Sequence, residues 1–147
     1  MDWTLECSGC RQAASADGLP TVCPGCGSPW LVRYARTVPR QSREALTARG
    51  HTMWRYREFL PLVGDEEPVS LGEGGTPLLR AHRLAERIGH GDLWIKDEAV
   101  NPTGSFKARG LAAAITRAVL AGAKRFVLPT AGNAGVAAAA YGARAGA

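Results

Sequence analysis

The chain has 147 residues, of which 46% are hydrophobic, and a formal net charge of +5. This composition is globular, and the length fits one ordinary domain or a small module followed by part of a larger domain. The basic residues are scattered singly, which does not indicate a nucleic-acid surface. The sequence lacks both the ~20 apolar residues of a membrane span and a signal peptide, so we expect a cytoplasmic protein without a nucleic-acid or membrane partner.

The first feature in chain order is a set of four cysteines in two C-x2-C pairs, with twelve residues between the pairs: Cys7, Cys10, Cys23 and Cys26. Two thiolates on one tight turn can both point at one ion, and in a cytosolic protein this favours zinc over a disulfide. A disulfide pair or incidental thiols remain the alternative. Because the segment is too short for its own core, we predict a zinc-ribbon-like module over residues 1–36 that bound metal holds together.

Residues 37–67 are predicted to form a connecting arm. The arm is rich in arginine, with Trp54, Tyr56 and Phe59 interleaved. Arginine beside aromatic residues can form a nucleic-acid surface, but we favour an arm that docks its aromatic residues on the protein's own core. We interpret the three histidines as surface residues, because none has a metal-like or catalytic neighbour in sequence: His51, His82 and His90.

From Pro68 onward, strands and helices are predicted to alternate. After the glycine-rich turn LGEGGTPLLRA, the segment HRLAERIG predicts a helix that ends at Gly89. DLWIKDEA and RFVLPT predict strands, and each is followed by an alanine-rich helical segment, SFKARGLAAAITRAVLAGA and NAGVAAAAYGARAGA. The alternation predicts an α/β fold with an open parallel sheet over residues 68–147, with Lys107 and Asn133 at strand C-terminal ends on the same side.

Two loops carry candidate functional residues. Lys107, one of three lysines against fifteen arginines, lies at the start of a predicted helix, where the dipole favours a neutral, nucleophilic amine. From this residue alone, a solvated helix lysine is an equally good explanation. In the loop LPTAGNAGVA, Gly132 and Gly135 bracket Asn133, so that backbone amides can surround an anion and the asparagine can donate a directed hydrogen bond.

The order of LGEGGTPL, NPTGSFKARG and PTAGNAGVA resembles the threonine synthase family, pyridoxal-phosphate (PLP) enzymes of the tryptophan-synthase-β fold group, also called fold type II. The resemblance runs from Trp54 to the end, and some family members carry an N-terminal zinc ribbon. It implies that Lys107 binds the cofactor covalently, that Phe106 contacts the cofactor ring and that Asn133 donates to the 3-hydroxyl oxygen. It also implies that one loop presents amides to the substrate carboxylate: Thr130, Ala131, Gly132, Asn133 and Ala134.

The implied reaction converts O-phospho-L-homoserine and water to L-threonine and phosphate, in a full-length protein that we expect to be a homodimer. Members of the family are longer than this chain, so we expect the chain to be the N-terminal part of such a lyase. One alternative is a serine/threonine dehydratase or another β-replacement enzyme of fold type II. Another is a zinc-ribbon binding module without catalysis.

Overall fold

The structure, a computed structural model, describes residues 3–34 and 40–147, so the predicted module boundary at residues 36 and 37 lies outside the described residues. The N-terminal segment forms a small antiparallel sheet in which β1 (Trp3–Cys7) lies between β2 (Ala13–Ala14) and β3 (Trp30–Tyr34). Side chains alternate between the two faces of a strand, and the alternate residues Leu5 and Cys7 are buried. The sheet therefore turns Cys7 inward at the end of β1.

The arm consists of helix α1 (Arg43–Ala48) and a 3-10 helix, Met53–Phe59. Trp54 is only 8% exposed, which confirms the predicted docking for this residue, whereas Tyr56 and Phe59 are about half exposed and the prediction is wrong for them. The backbone is kinked at Tyr56, with φ of −102° and ψ of 33°, and the buried face formed by Met53 and Trp54 does not continue beyond this kink. The three histidines are exposed, as predicted.

The main core lies between helices α3 (Lys107–Leu120) and α4 (Asn133–Ala145). Both predicted helices are confirmed, and the buried positions on each recur at the spacing of one helical face. Their small alanine side chains let the two helices pack closely. The arm covers this core with Met53, Trp54 and Leu62. The helical core residues are Ala108, Ala112, Ile115, Ala137, Ala138 and Tyr141.

A second, two-stranded sheet precedes these helices. Strands β4 (Leu78–Arg80) and β5 (Trp94–Lys96) pair antiparallel, and helix α2 (His82–Ile88) connects them. The predicted strand in DLWIKDEA is confirmed. Helix α2 ends where predicted, because Gly89 adopts the left-handed conformation, with φ of 68°, that a helix C-cap requires.

The α/β class is confirmed, but three details of the predicted sheet are wrong for the described residues. The described strand pairs are antiparallel, not parallel. The segment RFVLPT is not part of a strand, since no described strand pairs with it and Val127 is fully exposed. A strand is stabilised by backbone hydrogen bonds to a neighbouring strand, and this segment forms no such pairing within the described residues. In addition, β5 does not lead directly into α3, because the 3-10 turns Glu98–Val100 and Pro102–Gly104 intervene. Within the described ranges, every helix is too short or too polar to cross a membrane.

Candidate functional site

Lys107 is the first residue of α3 and its side chain is exposed. Its Nζ lies 4.8 Å from the centroid of the Phe106 ring, which is itself 58% exposed. In the part of the chain that the structure describes, this amine has no hydrogen-bond or salt-bridge partner. An amine without a partner, beside an exposed aromatic ring, is available to react with a ligand.

The carboxylate of Glu98 fixes the start of α3. It accepts hydrogen bonds from Arg109 Nε at 2.6 Å and from a terminal nitrogen of the same guanidinium at 2.8 Å. The Thr76 hydroxyl donates at 2.7 Å and the Asn101 amide at 2.9 Å. Together these donors, Arg109 first, lower the pKa of Glu98 from 4.5 to about 2. One side chain thus joins the glycine-rich turn, the residues after β5 and the helix that begins at Lys107.

A second carboxylate, that of Glu73, ties the glycine-rich turn to α4. Glu73 is fully buried and accepts hydrogen bonds from the Trp54 indole and, at 2.7 Å, from the Tyr141 hydroxyl. Burial and the hydrogen bond to Glu73 raise the pKa of Tyr141, so its hydroxyl stays protonated and donates. The backbone amide of the following residue, Gly74, donates to the Asn101 side chain at 3.1 Å. The glycine-rich turn is therefore held on one side by Trp54 and Tyr141 and on the other by Asn101.

The loop before α4 presents free donors at the first residue of the helix, Asn133. The Thr130 hydroxyl caps the loop by accepting from the amides of Gly132 at 3.1 Å and Gly135 at 2.9 Å. A Cβ on Gly135 would lie 2.6 Å from the Thr130 methyl group, so this position requires glycine. The backbone amides of Asn133 and Ala134 and the Asn133 carboxamide have no partner among the described residues. Such a helix start can bind an anion or a carbonyl-like oxygen.

The two candidate groups are linked through the core. Helices α3 and α4 pack against each other through their buried faces. No hydrogen bond of the described residues joins Lys107 to the Asn133 loop. That both residues face one ligand therefore stays a prediction.

The four cysteine side chains converge, and all their Sγ atoms lie within 4.8 Å of one another. Cys7 and Cys26 are 3.3 Å apart at sulfur, Cys10 and Cys23 are 3.6 Å apart, and all four thiols are free. Sulfurs that bind one zinc ion at about 2.3 Å in a tetrahedron lie about 3.8 Å apart, close to these distances. Hydrogen bonds from Ser28 lower the pKa of Cys26 to about 6, which favours a thiolate. The cluster has the geometry of a four-sulfur metal site.

Sequence reasoning missed the pair of Glu98 and Arg109. A signal was present, because an arginine in the first turn of a helix opposes the helix dipole and therefore calls for a carboxylate nearby. The acidic residues just after β5 were the available partners. Glu73 was missed for a different reason, since nothing in its glycine-rich surroundings indicates a buried carboxylate.

Comparisons with known proteins identify the family of the chain. The profile of the family described as pyridoxal-phosphate dependent enzyme matches residues 69–147. A threonine synthase of Methanosarcina acetivorans is 38% identical over 142 residues, which cover 97% of this chain and 35% of that protein. Threonine synthases of Synechocystis and Mycobacterium leprae are 50% and 48% identical, and both alignments cover 62% of this chain and 24% and 25% of those proteins.

The chain spans about a third of the length of the first of these curated relatives. The matched family region begins just before the glycine-rich turn and includes both Lys107 and Asn133. It also includes the charged pair that fixes the start of α3. The chain belongs to the family of pyridoxal-phosphate dependent enzymes.

Proposed function

We propose that the chain is part of a PLP-dependent lyase that converts O-phospho-L-homoserine and water to L-threonine and phosphate. The name of its relatives, threonine synthase, supports threonine as the product. The observation that carries the proposal is the Lys107 amine, which lies without a partner at the start of α3 and beside Phe106. We place this enzyme in the cytoplasm, and we expect the full-length protein to be a homodimer.

The chemistry of the described residues fits the cofactor. The free amine of Lys107 suits its aldehyde, and the Phe106 ring offers an apolar contact for its aromatic ring. The unpartnered carboxamide of Asn133 suits its phenolic oxygen. When bound, PLP takes up the electrons that are released when a C–H bond next to the substrate amine breaks.

We assign the following roles to the chain's own residues. Lys107 binds the cofactor and, when its amine is free, takes a proton from a substrate carbon and returns one. Phe106 contacts the cofactor ring, and Asn133 donates a hydrogen bond to the 3-hydroxyl oxygen. Backbone amides at the start of α4 hold the substrate carboxylate, in the loop Thr130, Ala131, Gly132, Asn133 and Ala134.

A second candidate is a serine/threonine dehydratase or another β-replacement enzyme of the same fold. The observation in its favour is that Ala131 and Ala134 carry no hydroxyl group that could contact a phosphorylated substrate. The two candidates differ in the group that leaves the substrate. The choice of amino-acid substrate therefore separates them.

We further propose that residues 1–36 form a module held by one structural zinc ion, bound by Cys7, Cys10, Cys23 and Cys26. Four thiolates fill a tetrahedral shell and leave no open position for catalysis. Thiolate ligands of this kind persist in a reducing compartment, consistent with the cytoplasm. Metal analysis should find about one zinc per chain, and Cys10→Ser should weaken its retention against a chelator. Protein purified without chelator but free of metal would contradict the assignment.

The activity test uses the full open reading frame that contains the chain, since the relatives are longer. It measures phosphate and threonine formed from O-phosphohomoserine, and keto-acid formation from serine and threonine. We expect activity on the phosphorylated substrate that Lys107→Ala abolishes and that Lys124→Ala, a change at an exposed lysine outside the site, retains. Keto-acid formation alone would establish the dehydratase, and full activity of Lys107→Ala would refute the role of this lysine.

A further inference from the structure

A cavity of about 260 Å³ lies between the arm, the glycine-rich turn, β5 and α3. The side chains that give it its chemical character are His51, Arg55, Tyr56, Lys96 and Arg109. No described carboxylate is among the residues that line it. The charged side chains that line the cavity are therefore all basic, and the nearest ion-paired carboxylate, that of Glu98, lies on Arg109.

Two of these positive charges are not neutralised within the described residues. Arg109 is paired with Glu98, so its charge is compensated. By contrast, Lys96 donates to the backbone carbonyl of Thr76, and a terminal nitrogen of Arg55 donates to backbone carbonyls of the arm. Carbonyl oxygens satisfy hydrogen bonds but carry no net charge. Two cationic side chains without a carboxylate partner among the described residues thus line one cavity, which favours an anionic ligand there.

The walls of the cavity are held in place by close backbone contacts. A Cβ on Gly75 would lie 2.1 Å from the His51 carbonyl oxygen and 2.7 Å from the His51 Nδ1, so the turn packs directly on the arm. The Met53 amide donates to the Glu73 carbonyl at 2.8 Å beside this contact. The hydrogen bond from Lys96 Nζ to the Thr76 carbonyl ties β5, the third wall of the cavity, to the glycine-rich turn. The basic groups are therefore brought together by the fold and do not merely share an open surface.

We propose that this cavity binds phosphate, either free or as the phosphoryl group of a small molecule. A guanidinium and an ammonium group supply two positive charges, which match a dianion better than a single carboxylate. The imidazole of His51 and the hydroxyl of Tyr56 add hydrogen-bonding groups for further oxygens. Lys107 is not among the lining residues, so this inference does not depend on the role of that lysine.

The test is calorimetric titration of the chain with inorganic phosphate, repeated with phosphoserine. We expect saturable binding that Lys96→Met weakens roughly tenfold, because a charge-assisted contact is lost. Tyr56→Phe removes only an exposed hydroxyl and should weaken binding roughly threefold. The matched control is Lys124→Met, at an exposed lysine outside the cavity.

This control should bind phosphate as the unchanged chain does. If phosphoserine binds more tightly than phosphate and depends on the same residues, the site takes the phosphoryl group of a small molecule. Equal or weaker binding of phosphoserine assigns it to free phosphate. Absence of binding, or equal loss in Lys124→Met, would overturn the proposal. Because Tyr56→Phe leaves all backbone contacts intact, unchanged binding by this variant and by a folded Lys96→Met would overturn it as well.

Discussion

Replacing Glu98 by glutamine should destabilise the start of α3. Glutamine has the same size but no charge, and its amide nitrogen can only donate. Both oxygens of Glu98 accept from Arg109, and each also accepts from a further donor, Thr76 on one side and Asn101 on the other. In Glu98→Gln, the new amide nitrogen therefore faces two hydrogen-bond donors on one side of the network, where no acceptor remains. The loss combines a broken ion pair with an unsatisfied hydrogen-bonding group.

The pKa of Glu98 sets the scale of the charge-dependent part of this loss. The difference between the usual 4.5 and about 2 corresponds to about 3 kcal/mol in favour of the ionised, folded form. The Glu98 and Arg109 side chains are 27% and 32% exposed, and water screens part of the interaction. We therefore expect Glu98→Gln to lower the free energy of unfolding by about 1.5 kcal/mol at pH 7.

The effect has a defined pH dependence. Because folding lowers the pKa of Glu98, its stabilisation is complete above pH 4.5 and is lost as the pH falls towards about 2. Glutamine does not titrate, so the difference between the two proteins should shrink by roughly two fifths at pH 3.5. The assay is urea unfolding followed by tryptophan fluorescence at both pH values.

The matched control is Glu86→Gln, at an exposed glutamate of α2 for which no ion pair is formed among the described residues. It should change the free energy of unfolding by less than about 0.5 kcal/mol at either pH. If Glu98→Gln were no more destabilising than this control at pH 7, Glu98 would not hold the three segments together. A difference that grew on acidification would contradict the sign of the pKa shift.

Two further substitutions test the loop before α4 and the buried carboxylate. Gly135→Ala should lower the free energy of unfolding by about 1 kcal/mol or more in the same urea assay, because the new Cβ overlaps Thr130. The control is Gly110→Ala, in open space on α3, which should instead raise the free energy of unfolding by up to about 1 kcal/mol. Tyr141→Phe should cost about 1–3 kcal/mol by removing a donor from Glu73, and a neutral result would show that water replaces it.

The sequence predicted those elements whose signals are local. Helix α2 was predicted with its end, because Gly89 stops a regular helical pattern, and the alanine-rich faces of the two longer helices were equally clear. The convergence of the four cysteines followed from the spacing of two tight turns. In each case, the residues that determine the structure lie within one or two turns of each other.

The prediction from the sequence failed for features that depend on a partner segment distant in the chain. RFVLPT has the composition of a strand, but a strand needs a neighbour, and the described residues provide none. The antiparallel pairing of β4 with β5 depends on which strands meet in space. The contacts of Glu98 and Glu73 join residues far apart in sequence, the longest being the 68-residue separation of Glu73 and Tyr141. Such contacts leave no periodic signal.

The most direct test of the central claim is to fix the cofactor chemically on its lysine. Protein from the full open reading frame is incubated with PLP, reduced with borohydride and digested, and the labelled peptide is identified by mass spectrometry. We predict one label on Lys107, and no label in Lys107→Ala under the same conditions. Labelling of Lys96 or Lys124 instead, with Lys107→Ala still labelled, would contradict the account.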